Sequence, residues 1–262
     1  MFSFSFIVRK ILPFRYCLVL VISMVVCSGS AAQGNSFLNQ LRIGFGAGFN
    51  FSHILESQSY SLYEDLSGQS YESTYTPFYQ NFGLQYFIHL DWHSNSLAVS
   101  LKPGTYTYNF TRQSSIEFQN EVVNQENPYT LRYFEIPLEA KYTIDLETVE
   151  PYVGGVFSYG HMLGSAASAN NSFIRTKMTL GAVAGTYIDL QYVILDVSLG
   201  YNYGLHLITS KENRSETGRP DAFSQSDIRL NDLRLNISAL FALQKKRNTG
   251  KAACNYQGRG PR

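Results

Sequence analysis

Residues Val193–Leu207 read VILDVSLGYNYGLHL. The odd-numbered positions are Val, Leu or Tyr, and the even-numbered positions from Asp196 onward are Asp, Ser, Gly, Asn, Gly and His. A repeat of two puts alternate side chains on opposite faces of a β-strand, whereas a helical stripe recurs every three or four residues. About 9–11 residues let a tilted strand cross a membrane. The segment therefore predicts a membrane-spanning β-strand.

Seven other segments of the chain show the same alternation. Their apolar rows lie in Ile43–Phe51, Phe82–Trp92, Leu97–Phe110, Phe134–Ile144, Val153–Leu163, Met178–Ile188 and Leu233–Leu243. The opposite rows are rich in Gly, Ser, Asn and charged residues, which suits a barrel with a lipid-facing exterior and a polar interior. A soluble sandwich or lipocalin-like barrel is the competing interpretation, but its exposed face is usually more charged.

The third segment differs from the others because its apolar row changes parity. We expect the outward residues to be Leu97, Val99 and Leu101, followed by Tyr106, Tyr108 and Phe110. Pro103-Gly104 lies at the change, so the sequence predicts a β-bulge there.

The connections between segments alternate in length. Three are short, at 93–96, 145–150 and 189–192, and four are long and polar, at 55–80, 112–128, 164–175 and 209–228. Short periplasmic turns and long outer loops are typical of up-and-down outer-membrane barrels. We therefore predict an all-β, eight-stranded antiparallel up-and-down transmembrane β-barrel with both termini in the periplasm. The aromatic residues expected in its interfacial girdle beside the short turns are Trp92, Tyr142, Tyr152, Tyr187 and Tyr192.

The first 32 residues have the organisation of a secretory signal peptide. Arg9, Lys10 and Arg15 precede an apolar run from Tyr16 to Cys27, and small residues follow as far as Ala32. This run is shorter than the roughly 20 residues that a membrane helix needs. We predict cleavage after Ala32; Cys27 leaves a lipoprotein as the alternative, although Val26 is large for the position before a lipidated Cys. The predicted domains are thus 1–32 signal peptide, 33–244 barrel and 245–262 a basic, disordered periplasmic tail.

Charge and cysteine content narrow the function further. Three of the 21 Lys and Arg lie in the signal peptide, which leaves 18 against 20 Asp and Glu, so no basic excess favours nucleic acid as a partner. Only Cys254 remains after cleavage, and no intramolecular disulfide is possible. Charged residues make up only 16% of the chain, which agrees with a surface that partly faces lipid.

The inward rows carry ionisable residues that must be paired or hydrated inside a barrel. An eight-stranded barrel is just wide enough for side chains to fill, so a general porin channel is not expected. We predict a polar network in the lumen, with a proton or ion path as the alternative interpretation. Arg42 and Asp91 are expected to pair within about 6 Å. The predicted network comprises Arg42, His89, Asp91, Glu135, Glu139, Lys141, Asp196, Asp232 and Arg234.

Catalysis is not expected, and no cofactor or metal is predicted. The chain has no G-x-S-x-G, no H-E-x-x-H and no phosphate-binding loop. A hydrolase at the outer rim is the one enzymatic alternative, because Ser52, His53 and Glu56 cluster at the end of the first strand. His161 and His206 approach the same rim.

The first long loop offers a candidate binding surface. Tyr among small polar residues can form an adaptable contact surface, as in antibody loops. The residues concerned are Tyr60, Tyr63, Tyr71, Tyr75 and Tyr79. Arg112 and Lys211–Arg219 are candidates for contact with lipopolysaccharide phosphate.

Two consecutive segments carry a recognisable family signature. The fourth contains YFEIPLEAKY (Tyr133–Tyr142), and the fifth begins PYVGG (Pro151–Gly155) after a short acidic turn. This pair resembles the PorT-like outer-membrane β-barrel family of Gram-negative bacteria. The resemblance implies an outer-membrane location and, for its founding branch, a part in protein secretion across that membrane.

The sequence therefore predicts a non-enzymatic outer-membrane barrel. Its role is expected to be that of a structural or assembly component, or of a PorT-like accessory of protein export. A surface ligand-binding protein that uses the Tyr-rich loop is the alternative, and the rim hydrolase is the third. The expected partners are outer-membrane lipid, lipopolysaccharide, and export-machinery or other envelope proteins.

Overall fold

The computed structural model describes residues 40–58, 73–94, 96–118, 121–146, 148–166, 173–209 and 227–243. Residues Leu41–Phe241 form one compact unit. The strands are β1 (Leu41–Gln58), β2 (Ser73–Tyr75), β3 (Phe82–Ser94), β4 (Leu97–Leu101), β5 (Gly104–Phe118), β6 (Glu121–Thr143), β7 (Val149–Ala166), β8 (Thr176–Asp189), β9 (Ile194–Gly204) and β10 (Asp227–Ala242). A 3-10 turn at Phe78–Gln80 precedes β3. No helix among these residues is long and apolar enough to span a membrane.

The strands close into a ring of eight positions. The order around the ring is β1, β10, β9, β8, β7, β6, then β4 with β5, then β3, which pairs back with β1. β4 and β5 share one position because both lie between β3 and β6, and β2 extends the sheet beside β5. Pairings such as β6 with β7 and β8 with β9 are antiparallel. The predicted all-β, eight-stranded, up-and-down barrel is confirmed.

The ring has two different ends. At the short-turn end, few residues separate β3 from β4, β6 from β7 and β8 from β9, which agrees with the three predicted short turns. The opposite end, which we call the long-connection end, carries Gln58, Phe118, Ala166 and Gly204 as the last residues of their strands. Both Leu41, at the start of β1, and Ala242, at the end of β10, lie at the short-turn end, because Leu41 pairs with Trp92 and Leu240 with Ile194.

The alternation seen in the sequence becomes an apolar exterior. Exposed side chains on the outer face include Phe45, Phe49, Leu84, Ile88, Val99, Tyr142, Val153, Phe157, Leu180, Leu199, Ile237 and Phe241. A soluble protein rarely exposes so continuous an apolar surface, whereas lipid accepts it. The opposite faces of the same strands are buried and mostly polar.

The third segment departs from its prediction. Tyr106, Tyr108 and Phe110 are buried inside the ring, at 2%, 0% and 2% exposure. No bulge occurs at Pro103-Gly104, because Leu101 pairs with Leu138 and Gly104 with Glu135, which is the same register on both sides of the break. The inward row is therefore continuous from Ala98 onward. The error arose because aromatic residues were assigned to the lipid face, whereas at this level they fill the lumen.

The 112–128 connection also differs from the prediction of a long loop. Here β5 and β6 continue as a paired hairpin as far as Phe118 and Glu121. Arg112, expected to contact lipopolysaccharide, is buried at 2% exposure. With 23 residues, β6 is roughly 75 Å long, about twice what a crossing needs, so the hairpin projects beyond the long-connection end.

The aromatic girdle is only partly as expected. Tyr142 is 55% exposed on the outer face, Tyr192 is 79% exposed in the turn before β9, and Trp92 is half-buried. Tyr152 and Tyr187 instead point into the lumen, with 3% and 1% exposure. Their hydroxyl groups find carboxylate partners there, which the girdle interpretation did not consider.

Candidate functional site

The lumen of the ring is lined by ionisable side chains that are almost fully buried. Each is exposed by at most 4%: Asp91, Lys102, Glu135, Glu139, Lys141, Lys177, Asp196, Asp232 and Arg234. Five carboxylates thus face four cations. Burying a charge is costly unless a partner of opposite sign compensates it, so the near balance makes this interior possible.

The upper cluster lies nearer the long-connection end and contains Glu135, Lys177, Asp232 and Arg234. The Lys177 ammonium is 3.1 Å from Glu135 Oε1 and 2.9 Å from Asp232 Oδ1. Arg234 Nη2 lies 2.7 Å from Glu135 Oε2, and Arg234 Nε also bonds Asp232. Every charge in this cluster therefore has at least two partners of opposite sign.

Neutral groups complete the upper cluster. The Tyr108 hydroxyl donates to Glu135 Oε1 at 2.6 Å and accepts from Arg234 Nη2 at 2.9 Å. The Ser158 hydroxyl donates to Glu135 Oε2 at 3.1 Å. Hydrogen bonds to charged groups are worth more than neutral ones, so Tyr108 is part of the network rather than filler.

The lower cluster lies nearer the short-turn end and contains Asp91, Lys102, Glu139, Lys141 and Asp196. Lys102 Nζ lies 3.0 Å from Glu139 Oε2 and 3.3 Å from Asp196 Oδ2. Lys141 Nζ lies 2.8 Å from Glu139 Oε2, and donates to the hydroxyl of Ser100 at 2.8 Å. That hydroxyl in turn donates to Asp91 Oδ1 at 2.5 Å.

Arg42 and His89 border the lower cluster. Arg42 Nη1 is 4.0 Å from Asp91 Oδ2, within the expected limit of about 6 Å, and 4.0 Å from Glu150 Oε2. His89 Nδ1 lies 3.6 Å from Asp196 Oδ2, longer than a hydrogen bond. Every residue of the predicted lumen set thus lies in or beside one of the two clusters.

Three contacts cross the full width of the barrel. Arg234 on β10 reaches Glu135 on β6, and three strand positions separate these strands in either direction around the ring. Lys102, between β4 and β5, reaches Asp196 on β9 in the same way. The Tyr187 hydroxyl on β8 donates to Asp91 on β3 at 3.0 Å. These three diametric contacts place side chains across the centre of the lumen.

Aromatic and apolar side chains fill the lumen around the upper cluster and towards the long-connection end. The buried group, which we call the aromatic plug, comprises Phe87, Tyr106, Tyr108, Phe110, Leu131, Tyr133, Met162, Phe173, Ile208, Ile228 and Leu230. Within it, Phe87 stacks on Tyr106 with ring centroids 6.4 Å apart, and Phe110 stacks on Tyr129 at 5.3 Å. One small cavity, lined among others by Lys102, Glu139 and Arg234, has a volume of about 10 Å³, which is room for about one water molecule.

Sequence reasoning missed two of the cations, Lys102 and Lys177. Lys102 lies at the supposed change of parity, where its face could not be assigned. Lys177 immediately precedes the apolar row of β8, and extending the inward row back from Thr179 would have identified it. Without these two residues, the predicted network had more carboxylates than cations. That imbalance indicated that further inward-facing cations were to be found.

The structure separates the residues proposed as a Tyr-rich surface. Tyr60, Tyr63 and Tyr71 lie outside the described residues. Tyr75 is half-buried, with its ring centroid 6.0 Å from that of Phe110, so it packs against the aromatic plug. Tyr79 is 63% exposed beside Phe78.

The geometry expected of a rim hydrolase is not assembled by the residues described. Ser52 points into the ring with 0% exposure, whereas the neighbouring His53 is on the opposite face, with its ring centroid 6.0 Å from that of Phe78. His206 Nε2 contacts the carbonyl of Thr176 at 2.8 Å. The side chain of Glu56 lies outside the described set.

The chain is similar to several solved structures, each at low sequence identity. Neisserial surface protein A is 14% identical, and the match covers 78% of this chain and 97% of that one, with a TM-score of 0.44. Ail of Yersinia pestis, solved with the heparin analogue sucrose octasulfate, is 15% identical. That match covers 77% of this chain and 99% of Ail, with a TM-score of 0.35. AlkL, solved in DMPC bilayers, is 17% identical. That match covers 80% of this chain and 93% of AlkL, with a TM-score of 0.39. No curated protein sequence matches the chain.

One protein-family profile matches most of the chain. Residues 31–210 match the profile described as outer membrane protein beta-barrel domain. The match covers more than half of the chain and includes β1 through β9. The chain therefore belongs to the outer membrane protein beta-barrel domain family.

Proposed function

We propose that the protein is a non-conducting, non-enzymatic scaffold of the outer membrane that acts on partners at its long-connection end. The observation that carries this proposal is the filled lumen. Three diametric contacts cross its width, and the aromatic plug fills it around the upper cluster. Solutes therefore have no route along the axis through the described part of the ring.

The orientation is part of the same proposal. The short turns of outer-membrane barrels face the periplasm. Both the start of β1 and the end of β10 lie at the short-turn end, which supports periplasmic termini. A signal peptide at 1–32 and a periplasmic tail at 245–262 are part of the same proposal. The long-connection end, with the projecting β5–β6 hairpin, then faces the exterior.

A PorT-like accessory role in export is the form of this function that the sequence motif favours. Glu135, in the Tyr-x-Glu-Ile-Pro-Leu strand, is the centre of the upper cluster, so the motif builds the barrel. Cargo cannot pass a lumen filled in this way. We therefore propose that any part in export is played through contacts with other envelope proteins.

Two measurements test the scaffold proposal. The full mature protein in planar lipid bilayers should give no stable conductance steps, and discrete open-channel steps would contradict it. Deletion of the protein, followed by comparison of secreted and surface proteomes, tests the export role. Cargo retained in the deletion strain is the expected result, and unchanged proteomes would remove the accessory role.

Surface ligand binding is the second candidate, and the projecting hairpin favours it. Gln113 pairs with Glu126, so replacing residues 114–125 by an Asn-Gly turn should shorten the hairpin without disturbing the ring below. The shortened protein should insert normally and lose its surface ligand while export stays intact. A variant lacking the tail at 245–262 serves as the control, and equal ligand binding by all three proteins would exclude the hairpin as the binding surface.

A further inference from the structure

The ladder between β6 and β7 contains an irregularity near the long-connection end. Arg132 pairs with Gly164, but the next residue, Tyr133, pairs with Met162. Leu163 is therefore the extra, unpaired residue of a β-bulge on β7. Bulges of this kind are common at barrel rims, where they redirect side chains. Here the bulge lies beside an exposed arginine on the outer wall.

Gly164 leaves open space beside that arginine. A Cβ atom added at Gly164 would meet no atom within 4 Å, whereas one added at Gly154 on the same strand would lie 2.2 Å from the carbonyl oxygen of Ala140. Paired residues of an antiparallel ladder point to the same face. The open space is therefore on the outer face, next to Arg132.

His161 supplies a second polar group to the same face. It is exposed and pairs with Phe134, which lies two residues beyond Arg132 on β6. His161 and Arg132 therefore lie on the same outer face, on either side of the bulge. Among the residues that the structure describes, Arg132 takes part in no ion pair, so its guanidinium is available to an external anion.

Apolar side chains continue from this site towards the middle of the barrel wall. Phe134, Phe157 and Leu163 are 40%, 43% and 60% exposed on the outer face. A cation with an open space beside it, at the edge of an apolar wall, matches an amphiphile with an anionic head and acyl chains. Arginine suits phosphate in particular, because its planar fork can donate two parallel hydrogen bonds.

We propose that Arg132, His161 and the open space at Gly164 bind a phosphate group of the phosphorylated glycolipid in the outer leaflet. The acyl chains of the lipid then lie along Phe134, Phe157 and Leu163. The site provides both charge attraction at the membrane surface and apolar contact below it. The choice of the outer leaflet rests on the orientation given under the proposed function.

The test is a titration of the full mature protein in detergent micelles with lipid A that carries its phosphates, and with the same lipid A after enzymatic dephosphorylation. Native mass spectrometry reads out binding. The wild-type protein should prefer the phosphorylated lipid by about tenfold, which is the factor that one lost charge-assisted contact gives. Equal affinity for the two lipids would overturn the proposal.

Three variants localise the site. Arg132→Gln and Gly164→Leu should each weaken binding of the phosphorylated lipid by about tenfold, the first by removing the charge and the second by filling the open space. The matched control is Arg229→Gln on β10, because Arg229 already contacts Tyr203, with its Cζ 4.9 Å from the ring centroid. An equal loss in Arg229→Gln would reveal diffuse attraction and overturn the assigned site.

The control for folding is the heat-dependent shift of the barrel in gel electrophoresis, which should be the same in all variants. If Arg132→Gln loses this shift, Arg132→Lys replaces it. Arg132→Lys keeps the charge but lacks the planar fork, so its affinity for the phosphorylated lipid should lie below that of the wild type. The titration in micelles does not depend on membrane orientation. A failure of lipid binding and a failure of the proposed orientation are thus distinguishable.

Discussion

Arg234 and Glu135 bond across the full width of the barrel, with 2.7 Å between Nη2 and Oε2. They are carried by β10 and β6, which lie on opposite sides of the ring. The pair therefore ties together strands that share no ladder, and it does so at the level where Lys177 and Asp232 complete the upper cluster.

Glu135→Gln should destabilise the barrel by about 3 kcal/mol, since removing one partner of a buried ion pair leaves the others uncompensated. Urea unfolding in lipid vesicles measures the free energy of unfolding. Glu126→Gln on the same strand is the control, because that carboxylate is exposed and should change stability by less than about 0.5 kcal/mol. Equal losses in the two variants would contradict the assignment of a buried network.

Tyr108→Phe removes a hydroxyl that bonds both Glu135 and Arg234. The expected loss is about 1.5–3 kcal/mol in the same unfolding experiment, as for hydrogen bonds to charged groups. Tyr142→Phe is the matched control, because Tyr142 is 55% exposed on the outer face. A Tyr108→Phe barrel as stable as the control would mean that the hydroxyl contributes nothing to the cluster.

Gly154→Ala should be destabilising and Gly155→Ala should be tolerated. A Cβ atom at Gly154 would lie 2.2 Å from the carbonyl oxygen of Ala140, whereas its nearest atom at Gly155 is 4.0 Å away. Overpacking of this kind costs about 1–3 kcal/mol. The yield of folded barrel and the urea midpoint measure the difference, and the reverse order of the two variants would refute the close approach of β6 and β7.

Surface labelling tests the proposed orientation. In a Cys254→Ser background, Glu126→Cys places a thiol on the projecting hairpin and Leu190→Cys places one at the short-turn end, where Leu190 is 56% exposed. A membrane-impermeant maleimide should label only Glu126→Cys in intact cells and both variants after lysis. Labelling of Leu190→Cys alone in intact cells would reverse the orientation.

The alternation of apolar and polar residues was sufficient to predict the strands and most of their outward-facing residues. Alternation in Val193–Leu207 predicted β9, and the same argument paired Arg42 with Asp91 on adjacent strands. The pattern was insufficient at Tyr106, Tyr108 and Phe110, where an apolar row alone does not state whether lipid or the lumen lies beside it. The bulge at Leu163 was not predicted, although Gly164 follows it directly on β7.

The sequence by itself determined that the chain forms alternating strands, three short turns and a charged inward row, because each of these depends on residues close together in the chain. Only the tertiary structure decided which charges meet. Arg234 and Glu135, Lys102 and Asp196, and Tyr187 and Asp91 come together because ring closure puts their strands diametrically opposite one another. That relationship depends on the number of strands and on their registers, which no single segment encodes.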